Sequence, residues 1–475
     1  MLFRSQKELG RGFAGTAHQR ARAFLRESGY WTREANVALL RHDIPQAFES
    51  NVELAAFELY KTQPGLEGRT DLTGLELFSI DDAETLDIDD ALSVEHLVDG
   101  NIRLGIHIAS PASAFAYDSL IEREARMRAT SIYLPDSRIP MLPAILSENA
   151  LSLMEGQKRA AMSFFVTYDA RYNVVARDIV RSVVVSKHRL TYDAAERMIE
   201  FGNDALSDML RTILEITETS AVSRRAAGAI DVNLPENKVV LDRETGRYSL
   251  HSIDNGMMSR GLVAECMIIA NAFVADFCAE HEIPALYRLQ ASPTGMPTAE
   301  ELDAMPNDYI RAISQRRCMQ PAGSSMTPGR HAGLGLERYL QATSPLRRYI
   351  DLMIHYQLEA FLATGAPRFD SDGFSRAMTA IDGPLSAARA ASNEANQFAV
   401  LSYFAQEREQ TFEAIIVQYN PDRPDHPQVM LLLTQTRATI SLRKRFVPGT
   451  IINVRVDHVD PEDGTLILQF VGEVV

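Results

Sequence analysis

Ten consecutive residues constrain this chain more than any other part of it. Asp81-Asp82-Ala83-Glu84-Thr85-Leu86-Asp87-Ile88-Asp89-Asp90 carries six acids and no base. Carboxylates packed this densely repel one another, and such a run is ordinarily a solvated turn. Here Ile80, Leu86, Ile88 and Ala91 interleave with the acids and tie the segment to a core. An acid cluster held against a core calls for cations. In an extended segment Asp87 and Asp89 share a face, Asp90 turns to the other, and Asp81 returns from the preceding strand. Hard oxygen donors of this kind suit Mg²⁺ or Mn²⁺ rather than zinc. A structural Ca²⁺ loop is the alternative, but the segment lacks the glycine that an EF-hand loop needs at its sixth position. Divalent ions acidify a bound water and neutralise a leaving oxygen, so hydrolysis of a phosphodiester is the chemistry the segment best supports.

The whole chain of 475 residues has room for two or three domains. Its formal charge of −15 argues against a protein that coats nucleic acid through bulk positive charge. Cys266, Cys278 and Cys318 are too widely spaced for a zinc site and too few for a disulfide scaffold, which points to a reducing cytoplasm. The first residues, MLFRSQKELGRGFAG, lack the apolar core of a secretion signal. The most apolar stretch, residues 263–277, is interrupted by Glu265, Asn271 and Asp276 and reads as a buried helix.

Three textures follow one another along the chain. Residues 1–70 are locally basic: the first 50 hold eight Arg or Lys against five Asp or Glu. Residues 17–28 have helical composition and stop at Gly29, and Thr32 can cap a second helix over residues 33–40. That pattern fits a small docking domain or a helix-turn-helix that binds RNA. Residues 71–408 mix strands with long helical patterns. A strand is expected over residues 75–80, and residues 91–97 and 101–109 should pair as a hairpin about Val98-Asp99-Gly100. Further strands are expected at residues 162–168 and 174–185, and helices at 193–228, 257–281, 338–364 and 373–408. Residues 411–475 contain five short strand-like runs, which suggests an OB-type barrel. The fold class is therefore α+β and multidomain.

The segment SIDDAETLDIDDAL, followed far along the chain by GLGLERYLQATSPLRRYIDLMIH, resembles the catalytic domain of the ribonuclease II (RNB) family over roughly residues 71–405. YLPDSRIPMLPAILSENALSL and SKHRLTYDAA are similar to further family segments. The resemblance implies a 3′ to 5′ exoribonuclease that hydrolyses single-stranded RNA to nucleoside 5′-monophosphates with Mg²⁺, or with Mn²⁺ in its place. It implies that Asp81 and Asp90 hold a metal ion, that Asp87 supports the site, and that Asp89 completes a second metal position or orients the attacking water. Arg347 matches the family's catalytic arginine, with Arg348 less clearly engaged, and Glu394 matches a further catalytic-site glutamate. Tyr192 and Tyr133 match aromatics that line the RNA channel and clamp the RNA end, while Glu265 matches a contact to a ribose 2′-hydroxyl. The barrel is similar to an S1-type RNA-binding module.

Each of these residues also has a plain structural reading. Arg347 and Arg348 can be an ion-paired helix start, Glu394 an exposed helical acid, Glu265 a buried hydrogen-bonded acid, and either tyrosine a packing residue. His331 and His355 read as structural rather than as general bases, and the glycines at 333 and 335 are a weak phosphate-cradle signal. The second aromatic of an RNA clamp has no clear candidate in residues 233–250. The helical start also departs from family members that carry two cold-shock barrels ahead of the catalytic domain. Competing readings are a catalytically silent RNA-binding member of the fold and a metal-dependent DNA exonuclease. The expected state is a monomer in the cytoplasm.

Overall fold

The computed structural model describes residues 17–29, 36–63, 65–230 and 236–474. At its centre lies a seven-stranded sheet in the order Thr70–Asp71, Val174–Val185, Lys158–Tyr168, Ile102–Ala109, Asp90–His96, Phe78–Asp81 and His188–Thr191. The expected hairpin is present, with His96 opposite Ile102 and Asp90 opposite Ile108. Its turn works because Asp99 accepts from the Asn101 backbone and Gly100 adopts φ +86°, which its lack of a β-carbon permits. One large core, from Leu77 and Ile80 through Phe164 to Leu352, joins this sheet to the helices packed on it.

The helix Met258–Glu280 is long and apolar enough to suit a bilayer by composition. In the fold it is a core helix, with Leu262, Cys266, Ala270, Val274 and Cys278 fully buried. Cys266, Cys278 and Cys318 are all free thiols. The 36-residue helix Ser371–Gln406 runs toward the C-terminal part of the chain despite Pro384 inside it.

That part is a closed five-stranded barrel built from Thr411–Asn420, Arg423–Leu431, Arg437–Ile440, Ile451–Asp460 and Thr465–Glu473. It has its own core, centred on Phe412, Ile416, Val429 and Val454, to which Leu401 and Phe404 of the long helix contribute. Mixed sheet, helices and a terminal barrel give the α+β multidomain class that the sequence implies.

Three expectations need correction. Residues 193–228 form two helices, Tyr192–Phe201 and Ala205–Ala226, because Gly202 ends the first and the Asp204 side chain caps the second. The helix expected over 338–364 begins only at Tyr349. Residues 338–348 are irregular, since Ser344-Pro345 turns the chain before a helix can start. The N-terminal pair also differs. The first helix, Ala17–Glu27, is followed by Gly29 at φ +72°, but the second is Val37–Arg41, capped by Asn36; Thr32 lies outside the described residues. A third helix, Ser50–Thr62, follows it.

Candidate active site

The acidic segment leaves the sheet at Asp81 and re-enters it at Asp90, so two strand ends fix its termini. Between them the chain is pinned from several sides. The Ser152 hydroxyl accepts from the Ile88 amide at 2.9 Å and donates to the Leu86 carbonyl at 2.8 Å. The Ala109 amide donates to the Asp89 carbonyl, and the Arg189 guanidinium donates to the carbonyls of Ala83 and Thr85. Ile80, Ile88 and Ala91 are buried, as the interleaved apolar residues implied, whereas Leu86 is exposed and does not tie the segment to the core.

The four acids then divide into two kinds. Asp87 and Asp89 are buried and paired with cations of the protein. Asp87 accepts from the Tyr133 hydroxyl at 2.8 Å and from Arg138, whose other terminal nitrogen holds Glu148. Asp89 accepts from the Leu346 amide at 2.9 Å and from Arg347 Nε at 3.1 Å. Burial pushes the Asp89 carboxyl up to about 7, against the pull of Arg347 and the Leu346 amide.

Asp81 and Asp90 have no such partners among the described residues. Burial raises both carboxyls; Asp90 adds to the rise at Asp81, and Asp89 to the rise at Asp90, while Arg347 opposes it at each. Asp81 Oδ2 is buried with no hydrogen-bond partner among the described residues. Among the described residues no three ligand-type side chains converge into a closed metal cage. The donor set is instead a pair of carboxylates, the kind of site that holds Mg²⁺ when water and substrate phosphate oxygens complete its octahedron.

Arg347 enters from the irregular turn before the helix Tyr349–Thr364. Its Nη2 donates to the Ser344 hydroxyl at 2.8 Å, and its carbonyl accepts from the Ser131 amide. About 41% of the side chain is exposed, and Nη1 has no protein partner among the described residues, so the guanidinium can reach a phosphate oxygen while braced on Asp89. Arg348, in contrast, is committed to fully buried Asp351, whose Oδ1 also accepts from the Ser344 amide. That network shapes the turn and sets the direction of Arg347.

Tyr133 stands beside Asp87 with 41% of the residue exposed. Tyr192 starts its helix directly after Thr191, which lies opposite Asp81 in the sheet. Burial raises its hydroxyl, and Asp81 and Asp90 raise it further. One face of that ring is covered by the Arg260 guanidinium, 4.1 Å from the centroid, which also donates to Asp82.

Two of the expected site residues are engaged elsewhere. Glu265 is buried and held by Arg224 on both oxygens and by the Ser220 hydroxyl. Glu394 accepts from Arg41 at 2.5 Å and from His42 at 3.2 Å, and contacts none of the four acids. The helix Val37–Arg41 packs Ala38 and Leu39 against Ala388, Ala391 and Ala395, which brings Arg41 and His42 to Glu394. His331 packs edge-on to Tyr339, and fully buried His355 bonds the Ala342 carbonyl. The glycines at 333 and 335 serve close packing, since a β-carbon on Gly335 would lie 2.4 Å from the Arg224 carbonyl oxygen. Tyr248, the aromatic within residues 233–250, sits on the hairpin Glu236–Asp242/Arg247–Ile253, and its amide bonds Gln406 of the long helix.

Sequence reasoning passed over Arg138, Arg260, Ser152 and Asp351. Arg138 carried a usable signal: it is the one base in the quoted run YLPDSRIPMLP, and a buried carboxylate requires a cation.

This combination of sheet, acidic strand ends and arginine turn defines a class. The RNB domain profile matches residues 69–364, and the chain belongs to the RNB (ribonuclease II) family. It is 34% identical over 444 residues to an uncharacterised ribonuclease of Synechocystis, covering 92% of this chain and 65% of that protein. It is 29% identical to the chloroplastic/mitochondrial ribonuclease II of Arabidopsis thaliana, covering 94% of this chain and 56% of that one. The chain thus spans less than two thirds of the length of either relative. The fold is similar to that of Mycoplasma genitalium RNase R in complex with ribose methylated single-stranded RNA, at a TM-score of 0.80 and 21% identity, over 91% of this chain and 77% of that one.

Proposed function

We propose that this chain is a divalent-metal-dependent 3′ to 5′ exoribonuclease that hydrolyses single-stranded RNA to nucleoside 5′-monophosphates. One arrangement carries the reading: the unpaired, mutually repelling carboxyls of Asp81 and Asp90, with an orphaned buried oxygen, lie beside an Asp89 that is already braced by Arg347. Two buried carboxylates of like charge are stable only if protonated or if a cation joins them.

Asp81 and Asp90 would hold Mg²⁺ or Mn²⁺, Asp89 would complete a second position or orient water, and Asp87 would support the site through Tyr133 and Arg138. When bound, the metal would acidify a water and neutralise charge on the leaving oxygen. Arg347, braced through Nε and Nη2, would present Nη1 to a phosphate oxygen and stabilise the charge that develops there. Tyr133, with 41% of the residue exposed, offers a stacking surface that accepts any base, at about 1–3 kcal/mol, and Tyr192, packed against the core and under Arg260, would line the path beside Asp81. The ribonuclease names of the relatives and the RNA-bound structural neighbour support RNA as the substrate. The setting is the cytoplasm, and the working unit a monomer.

A 5′-labelled single-stranded RNA incubated with Mg²⁺ should yield a descending ladder or a short end product. An EDTA control should abolish it, and a DNA equivalent should stay intact. No product from RNA would sink the reading, and equal cleavage of DNA would favour a DNA exonuclease.

A further inference from the structure

A second polar cavity lies away from the acidic strand ends, and its charge has the opposite sign. Arg181, Met162, Ile108 and Asp90 are successive cross-strand partners, so Arg181 stands three strand spacings, about 14 Å, across the sheet from Asp90. It faces a cavity of about 820 Å³ whose wall includes Gln63, Glu67, Tyr117, Glu359 and Arg368.

The charges around this cavity do not cancel. Glu359 is buried and shared: one oxygen takes Arg69 and the Ser110 hydroxyl, and the other takes Arg181 Nε at 2.7 Å. Two guanidiniums therefore serve one carboxylate. Arg181 is bound through Nε, which leaves both its terminal nitrogens without a protein partner among the described residues, and its side chain is 27% exposed. Arg368 has no carboxylate partner among the described residues and rests against the Phe369 ring. Tyr117 cannot supply a counter-charge, because its hydroxyl already accepts from Arg126 and burial raises it. Among the described residues that line the cavity, Glu67, exposed at the rim, is the one acid besides Glu359.

We propose that this cavity is a binding site for a phosphate monoester dianion, gripped by the two free nitrogens of Arg181 and by Arg368. The fork of a guanidinium matches two phosphate oxygens, and Glu359 holds that of Arg181 in place before the ligand arrives. The volume admits a ligand of mononucleotide size. This assignment stands whether or not the chain hydrolyses RNA.

Calorimetric titration of the full chain in EDTA with inorganic phosphate, and separately with adenosine 5′-monophosphate, tests it. Saturable binding is expected, weakened at least tenfold in Arg368→Gln and unchanged in Arg347→Gln. Arg368→Gln should hydrolyse RNA at the wild-type rate. Equal affinity for the two probes identifies phosphate alone as the ligand group, whereas tighter binding of the nucleotide shows that the nucleoside is also held. Absence of saturable binding in the millimolar range overturns the proposal. So does loss of binding in Arg347→Gln with Arg368→Gln unaffected, because the anion would then sit at the acidic strand ends.

Discussion

The two charged clusters of the central sheet are opposites in how their charges are balanced. Around Glu359 a single buried carboxylate meets Arg69, Arg181 and Ser110, and these more than offset the burial that works against its charge, so its carboxyl is held below the ordinary range. At the acidic strand ends Asp81, Asp89 and Asp90 are all raised, and Arg347 alone stands near all three. In the first cluster the carboxylate itself is fully satisfied by protein, and the surplus is positive charge on the outer nitrogens of Arg181. In the second the like charges have no such satisfaction, the kind of perturbation that marks a functional-site candidate.

Substitution should separate the two most sharply. Asp89→Asn is expected to lower RNA hydrolysis by more than about a thousandfold, a loss of roughly 4 kcal/mol in transition-state stabilisation, while thermal unfolding followed by circular dichroism stays cooperative with an unchanged or higher Tm. A variant that keeps normal turnover would remove Asp89 from the site. Glu359→Gln should do the reverse. Leaving Arg69 and Arg181 without their carboxylate is expected to cost about 3–5 kcal/mol of stability in denaturant titration. Single-turnover cleavage by the fraction still folded should stay near the wild-type rate.

The same contrast explains what could be read from the sequence. The acidic segment was legible because its six acids and interleaved apolar residues are contiguous, and a contiguous conflict between charge and burial shows without any fold. The hairpin after it and the five strands of the barrel were legible through alternation and turn residues, which are local signals too. The Glu359 cluster was hidden, because Arg69, Ser110, Arg181 and Glu359 come from four distant segments that only the sheet brings together. Arg138 escaped notice for the same reason, 51 positions from the Asp87 it neutralises. The start of the Arg347 helix was misplaced because helical composition extends back through residues 338–348. Competition from the Ser344 amide bond to Asp351 and from Pro345 is a tertiary and turn effect.

A smaller effect distinguishes the clusters through pH. A carboxyl raised in the folded state binds its proton more tightly there than in the unfolded chain. Its stabilising protonated form is therefore fully present below the ordinary value near 4 and is lost as pH rises through the folded value, about 7 for Asp89. In EDTA, the Tm advantage of Asp89→Asn over the wild type should widen between pH 5 and pH 8, at roughly 2–4 °C per kcal/mol. Saturating Mg²⁺ should stabilise the wild type more at pH 8 than at pH 5, since ion and protons compete for the same oxygens. A Tm difference that does not change with pH would mean that Asp89 is not strained by burial in solution.

The smallest expected effect bears on Glu394, which belongs to neither cluster in this fold. Its partners Arg41 and His42 are partly exposed, with 46% and 26% of their side chains accessible, and a pair of that kind is worth about 1 kcal/mol or less. If the contact only fastens the helix Val37–Arg41 to Ser371–Gln406, then Glu394→Gln and Arg41→Gln should lose the same small stability, and neither should change the cleavage of a short RNA oligomer by more than about twofold. If Glu394 instead serves the acidic site, Glu394→Gln alone should lower turnover tenfold or more while Arg41→Gln leaves it intact or raises it by freeing the carboxylate. Steady-state cleavage by the two single variants and the double variant decides between these outcomes, because a shared docking role makes the losses non-additive and a catalytic role makes them diverge.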